Sequence, residues 1–496
     1  SDEYTPGEVI GYRNQTVDLR MSRALDAINK TRRTPNLLAR GSGVVILAWS
    51  LLFGLWLAAS HDPKRVPGPR RSFLLSSLLL LLQVGFIRLG FEVSTRLGSF
   101  AHAGLHAEPM YVLATPLVVA PLATALLGGG VLGLVEALTL VPLVVLMTSA
   151  LPSGGLPVGV FVVVLSLVAV RAASTYHARL VVASAAIALA LGSVVAVAAA
   201  LLVSGTSSVS MGVVGVDVGL ASLGAVFSAA LTAILLPAAE LAFGIVSDVR
   251  LLELANADRP LLRELAIRAP GTHQHSYVMS SIATEAAKAI GANVLLVRIG
   301  AYYHDIGKLH APEMFVENQS GGPNPHDELD PVESARQIIR HVSWGMERAQ
   351  EEGLPEQVRE LITGHHGTRT LHFFLEKARR TAPEGTLVDE SMFRYPGPKP
   401  QTRESAILML ADGAEAAVRS LDDPTREAVD AIVGKIADSV LADKQLDECV
   451  LTIGEFEQVR EAIVEALLSL HHKRIKYPGF NQSTVVPDTD RLACSE

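Results

Sequence analysis

Polar and apolar positions are segregated along this chain in two blocks. Between 43 and 246 long apolar runs follow one another with few charges, whereas 247–496 carries most of the Asp, Glu, Lys and Arg in a mixed globular pattern. The first block divides into seven apolar segments, at about 43–60, 73–91, 110–129, 131–150, 156–173, 180–204 and 212–246. Each approaches or exceeds the roughly 17–25 residues that cross a bilayer as a helix. The fifth is the weakest, and only Gly128-Gly129-Gly130 separates the third from the fourth, so six helices is the alternative count. Small-residue stretches such as ALALGSVVAVAAA (188–200) predict closely packed helices rather than a polar conduit.

The second block changes period. From 251 to 475 it reads as helices joined by short loops, with little strand signal. Asp330-Pro331-Val332-Glu333 predicts a helix start, with Asp at the N-cap, Pro at the first helical position and Glu closing a capping box. That helix sets His341 beside Ile338, Ile339 and Val342. PEQVRELITGHHG puts Val358, Leu361, Ile362 and His365 on one stripe, ended by Gly367. In LLVRIGAYYHDIGK, Leu296, Ile299, Gly300 and Tyr303 share a face and Gly307 is expected as the C-cap. Leu408, Asp412, Glu415 and Arg419 share another. The fold class is therefore all-α, a polytopic helical membrane bundle followed by an all-helical domain. The expected divisions are 1–42, an N-terminal polar segment; 43–246, the bundle; 247–268, a linker helix; 269–476, the helical domain; and 477–496, a tail.

Composition agrees. With 496 residues, 49% hydrophobic content and mean hydropathy +0.34, the chain is too apolar for an ordinary soluble protein of its size. Its net charge of −8 argues against duplex nucleic acid as a partner. Two cysteines, Cys449 and Cys494, make neither a disulfide framework nor a thiolate metal site. Lys64, Arg65, Arg70 and Arg71 fill the first loop, and Arg171 and Arg179 the loop after segment five. The loops PSGGLP and SGTSSVS carry no positive charge. The positive-inside rule then places the N-terminus outside and 247–496 in the cytoplasm, against the count of Arg32, Arg33 and Arg40. Of the charges within apolar segments, Glu136 is expected to pair inside the bundle and Arg88 and Glu240 to lie near interfaces. The competing reading makes these residues and Asp217 a transport or signal relay.

Nine of the fifteen histidines fall between His273 and His372, including the dipeptides His304-Asp305 and His365-His366. One histidine on a half-apolar face is more often a hydrogen-bonded core residue than a ligand. The joint pattern differs. His275, His304, Asp305, His341, His365, His366 and Asp412 are spread over several predicted helices or helix ends, and seven nitrogen and oxygen ligands suit two divalent metals. Asp412 on an apolar face needs a metal or cation partner, because burying an unpaired carboxylate costs several kcal/mol.

The order His275…His304-Asp305…Asp412 resembles the H…HD…D pattern of the HD phosphohydrolase superfamily, and HDIG (304–307) is a form of its core. More specific are APGTHQHS (269–276), GAYYHDIGK (300–308), ENQ with NPHD (317–319 and 324–327), HHGT (365–368), FRYPGPKPQT (393–402) and MLAD (409–412). Together they resemble the seven-transmembrane HD family, the PgpH-type cyclic-di-AMP phosphodiesterases, over about 43–475. The resemblance implies a bacterial plasma-membrane enzyme that hydrolyses cyclic-di-AMP to linear pApA with two transition metals, iron or manganese. It assigns His275, His304, Asp305 and Asp412 to the mononuclear core and His341, His365 and His366 to the second metal. Members of that family also carry a large extracellular domain ahead of the bundle; this sequence departs from them, with about forty residues before segment one, of which GEVIGYRNQTV (7–17) resembles the tail of that domain, so 1–42 is expected to be its extracellular remnant.

Two metals roughly 3.5–4 Å apart would activate water for in-line attack on phosphorus. Asp305 is expected to bridge them, since a carboxylate has two oxygens and an imidazole one free nitrogen. Lys308 is expected to neutralise a phosphate oxygen, or else to complement a helix dipole. Tyr302, Arg394, Tyr395 and Lys399 offer stacking faces and phosphate partners. Besides a cyclic dinucleotide, the partners are membrane lipids and, as one arrangement, a second copy in a homodimer. Two other classes compete. One is an HD phosphohydrolase of another nucleotide or of cyclic-di-GMP, the latter disfavoured because no GYP motif follows His365-His366. The other is a membrane receptor whose HD domain only binds nucleotide, disfavoured by the complete ligand set.

Overall fold

The computed structural model describes residues 16–32, 49–57, 69–100, 110–148, 155–175, 181–204, 210–319, 321–383, 385, 387–421 and 424–471. The loop charges Lys64, Arg65 and Arg179, residues 1–15 and the tail 477–496 lie outside them. The chain forms two compact units, Ser1–Val249 and Arg250–Glu496. The described residues contain no strand, only one isolated bridge between Thr370 and Arg394.

The first unit holds α1 (Leu19–Arg32) and a helical stretch at 49–57. These are followed by α2 (Pro69–Phe100), α3 (Val119–Gly128), α4 (Gly130–Thr148), α5 (Leu156–Thr175), α6 (Val181–Ser204) and α7 (Met211–Phe243). Five described helices are long and apolar enough to cross a membrane, within α2, α4, α5, α6 and α7. The third apolar segment differs from expectation. It is not one helix but a 3-10 turn at Met110–Ala114, a bend, and the ten-residue α3. Pro116 explains the break, since it supplies no N–H to a continuing helix. Gln83 on α2 closes the gap: its amide donates to the Pro116 carbonyl at 2.7 Å and accepts from the Ala120 N–H at 3.2 Å. A bilayer interior offers no water to take that place. The expected internal pairing of Glu136 is present, through Thr124 Oγ1 at 3.0 Å. Arg88 is exposed, and Glu240 accepts from the Ser247 N–H at 3.2 Å. Leu78, Leu81, Leu191 and Leu241 stand exposed on apolar helices, as lipid-facing side chains do.

The region expected as one linker helix is two, α8 (Asp248–Leu254) and α9 (Pro260–Arg268), with Pro260 opening the second. The remaining helices of the second unit follow: α10 (Pro270–Ala289), α11 (Val294–Tyr303), α12 (Pro331–Glu351), α13 (Glu356–Gly364), α14 (His372–Thr381), α15 (Arg403–Val418), α16 (Arg426–Ala442) and α17 (Ile453–His471). Asp330 caps α12 as expected, accepting from the Val332 N–H at 2.8 Å. Glu333 closes no capping box and pairs instead with Arg336 and Gln337. Gly300 decides how closely α11 packs. A Cβ there would stand 2.3 Å from Leu361 Cδ1 and 2.9 Å from Leu408 Cδ1, so glycine lets the end of α11 meet both α13 and α15 without either leucine moving aside.

Candidate metal centre

Five elements converge. His275 comes from α10, His304 and Asp305 from the C-terminal end of α11, His341 from α12, His365 and His366 from the end of α13, and Asp412 from α15. They form two adjoining groups of ligand atoms. His275, His304 and Asp412 make one, and Asp305, His341, His365 and His366 the other. All seven expected metal ligands are thus brought together. Asp305 lies in the second group yet faces both: Oδ2 is 3.1 Å from His304 Nε2, and Oδ1 is 3.3 Å from His341 Nε2.

The histidines are oriented by what holds their other nitrogen. His304, His341 and His365 each have Nδ1 on the backbone carbonyl three residues earlier, that of Ala301 at 2.8 Å, Ile338 at 2.6 Å and Ile362 at 2.7 Å. A carbonyl only accepts, so each Nδ1 carries the proton and each Nε2 presents a lone pair inward. His341 Nε2 and His365 Nε2 then face each other at 3.3 Å with no proton between them. His304 Nε2 and Asp305 Oδ1 are buried without a hydrogen-bond partner. Lone pairs gathered in this way beside a carboxylate fit a divalent cation, and little else relieves them.

His275 is held differently. Its Nδ1 lies 2.5 Å from Glu415 Oε2, and its Nε2 lies 3.1 Å from Asp412 Oδ1. Burial opposes a charge on this ring, but the bonds to Asp412 and Glu415 outweigh it and push its pKa up to about 10. A cation at Nε2 would exploit the same carboxylates. Burial holds His365 in the neutral ligand form, its pKa lowered to about 3, and the neighbouring His304 adds to the shift. Burial alone would raise Asp305, yet His304 and the Lys308 ammonium keep it well below the usual carboxylate range.

The expected catalytic and substrate residues fall into two sets. Tyr395 reaches the centre, its ring centroid 4.3 Å from that of His366. Lys308 also reaches it, but as a partner of carboxylates, with Nζ 2.8 Å from Asp305 Oδ2 and 2.7 Å from Glu317 Oε1. It is not the free phosphate partner the sequence led us to expect. Arg394 points to Asp443, at 3.2 Å, to Glu390, at 3.0 Å, and to the Thr368 carbonyl, at 2.9 Å, and so fastens its loop. Tyr302 stacks on Tyr277, with centroids 5.5 Å apart, beside a small pocket that also includes Ala255 and Leu262. Lys399 is half-buried, with its carbonyl accepting from Gln401. Gly307 is not a helix cap. It sits in a 3-10 turn, Ile306–His310, where a Cβ would meet the His341 carbonyl oxygen at 1.8 Å and the Gly345 nitrogen at 2.4 Å. The turn after His304-Asp305 therefore lies directly on the α12 backbone that carries His341.

The sequence reading missed Glu317, Glu415, Asp443 and Gln445. Glu415 was the accessible one, three residues from Asp412 on the same apolar face. Glu317 stands in the ENQ motif, which packs on the first turn of α10: Thr272 Oγ1 donates to Glu317 at 3.1 Å, and the Thr272 N–H donates to Asn318 at 3.1 Å.

Two family models match the chain. Residues 272–417 match the family described as HD domain, and residues 38–247 match the one described as 7TM receptor with intracellular HD hydrolase. This chain belongs to the seven-transmembrane HD family. It is 43% identical over 244 residues to the cyclic-di-AMP phosphodiesterase PgpH of Bacillus subtilis (strain 168), covering 49% of this chain and 34% of that protein. It is 43% identical over 243 residues to the PgpH of Listeria monocytogenes serotype 1/2a (strain 10403S), covering 49% and 33%. The chain thus spans about a third of the length of these relatives. The solved HD domain of the Listeria protein in complex with cyclic-di-AMP is 42% identical, with TM-score 0.42, covering 43% of this chain and 99% of that one. As a member of the seven-transmembrane HD family, the chain joins a membrane bundle to a hydrolase domain with a divalent-metal ligand set.

Proposed function

We propose that this chain is a membrane-anchored phosphodiesterase that hydrolyses cyclic-di-AMP to linear pApA and so sets the level of that messenger. The observation that carries the reading is Asp305, one carboxylate with an oxygen toward each of two ligand groups. Imidazole with carboxylate suits iron or manganese, and two such ions supply Lewis acidity and an activated water to phosphoryl chemistry. The substrate follows from the relatives: both curated proteins are named as cyclic-di-AMP phosphodiesterases.

The chain's own residues do the positioning. His275, His304 and Asp412 would hold one cation, and His341, His365 and His366 the other, with Asp305 between them. Lys308 offsets the negative charge of Asp305, and Glu317 and Thr272 fix Lys308. Tyr395 walls the approach beside His366. Hydrolysis places the water oxygen on phosphorus, breaks one P–O3′ bond and leaves the proton on the released 3′ oxygen. A 5′-phosphate remains at that end of the linear product.

The catalytic unit is assigned to the cytoplasm, supported by the Lys and Arg of the loops before α2 and after α5. Cysteine labelling of intact cells should reach a Cys placed in 205–210 and spare one in 64–70; the reverse pattern overturns the orientation. For activity, the full chain in detergent is incubated with Mn²⁺ or Fe²⁺ and a panel of cyclic dinucleotides, and the products are separated. pApA from cyclic-di-AMP is expected. Equal turnover of cyclic-di-GMP defeats the substrate assignment.

A further inference from the structure

The metal centre is closed on most sides. Side-chain exposure is 4% at His275, 2% at Asp305, 1% at His341 and 0% at His304 and His365, but 12% at Asp412 and 19% at His366. A phosphodiester must reach the metals across the Asp412–His366 edge. Phosphate oxygens arriving there need a cation, and of the three sequence-derived choices, Lys308, Arg394 and Lys399, the first two are already spent. Lys308 is neutralised by Asp305 and Glu317, and Arg394 by Asp443 and Glu390.

Arg369 stands at that edge. Its Nη1 lies 3.3 Å from the position of a Cβ on Gly413, the residue after Asp412. Its backbone is pinned on both sides, the N–H donating to the His366 carbonyl at 3.2 Å and the carbonyl accepting from the Tyr395 N–H at 3.0 Å. The guanidinium thus projects from a fixed point between His366, the least buried of the seven, and the tilted Tyr395 ring beside it. Among the described residues no carboxylate forms an ion pair with it, unlike Arg394 of the same loop cluster. A half-buried arginine with a free planar fork matches the geometry of phosphate oxygens.

We propose that Arg369 is the phosphate-binding residue of this site, its guanidinium taking a non-bridging oxygen of the phosphodiester at the Asp412–His366 edge. The proposal rests on the phosphodiesterase reading and adds to it the group that holds the substrate's charge.

The test uses the full chain in detergent, loaded with Mn²⁺, as wild type, Arg369→Ala and Arg369→Lys. Kinetics are measured on cyclic-di-AMP and on bis(p-nitrophenyl) phosphate, inorganic phosphate binding by calorimetry, and metal content by elemental analysis. For Arg369→Ala, kcat/KM should fall about 10- to 100-fold on cyclic-di-AMP and phosphate affinity should fall with it, the range for losing a charge-assisted hydrogen bond. Arg369→Lys should recover part of the loss, and metal content should hold at the wild-type value. A parallel loss on bis(p-nitrophenyl) phosphate assigns the contact to the scissile phosphate, and loss on cyclic-di-AMP alone assigns it to the second phosphate. Unchanged kinetics with unchanged phosphate affinity overturns the proposal, as does a variant that loses metal together with activity. A wild type that cleaves only the nitrophenyl ester defeats the substrate reading, while the synthetic ester and phosphate binding still decide the role of Arg369.

Discussion

Glu415 Oε2 lies 2.5 Å from Nδ1 of His275, which makes His275 the one buried histidine of the centre oriented by a carboxylate rather than by its own helix's backbone. A carboxylate on the far nitrogen raises the basicity of the near one and fixes the ring. Glu415→Ala should weaken metal binding by about 10- to 100-fold. The loss should fall on one of the two metals, because His341 and His365 of the other group keep their own backbone supports. Chelator competition followed by elemental analysis reads this as a drop from two ions toward one. Glu415→Gln, whose amide oxygen still accepts from Nδ1–H, should lose less. Equal loss of both metals would show that the groups are not separately supported.

Gly307 predicts a different failure. Alanine there must push the 3-10 turn off the α12 backbone, at the His341 carbonyl and the Gly345 nitrogen. Overpacking of this kind costs about 1–3 kcal/mol. It should also separate Asp305 from His341. Gly307→Ala is expected to lower the melting temperature of the catalytic unit and its metal occupancy together, while Gly434→Ala, on α16 with open space around it, should leave both intact. Full occupancy in Gly307→Ala contradicts the close contact.

Arg394 and Asp443 should behave as a pair. The loop bearing Tyr395 is fastened by Arg394 to Asp443, and Gln445 ties the same place to the HHGT turn through Thr368. Both members are about one-third exposed, so the pair is worth only about 1 kcal/mol after solvent screening. Arg394→Ala and Asp443→Ala should each raise KM modestly with metal content unchanged, and the double variant should be no worse than either single one. If Arg394→Ala alone affects KM, Arg394 touches substrate directly.

Gln83 provides a test in the membrane unit. Gln83→Leu leaves the Pro116 carbonyl and the Ala120 N–H without partners in an apolar interior, at about 1–3 kcal/mol per group. Thermal unfolding in detergent should shift down for Gln83→Leu and less for Gln83→Glu, which keeps the acceptor. No shift would mean that other groups close the break.

The sequence by itself determined a great deal here. Apolar run length located the five described helices long enough to span, because a bilayer of set thickness demands helices of matching length, but it missed the break in the third segment. All seven residues that the fold gathers into the candidate metal centre were legible, since chemistry restricts such a site to imidazole and carboxylate and their clustering is visible in one dimension. Only the tertiary structure decided how the charges around that site are spent. Lys308 and Arg394 look alike in sequence as phosphate partners, yet each meets two carboxylates in the fold, one of them 49 residues distant. Arg369 carries no motif, but its pinned backbone sets it at the open edge of the centre. The break at Pro116 had a local signal, whereas its closure by Gln83, 33 residues earlier, had none. Ligand type is a property of a residue, but whether a charge is neutralised depends on what folding brings within a few ångströms of it.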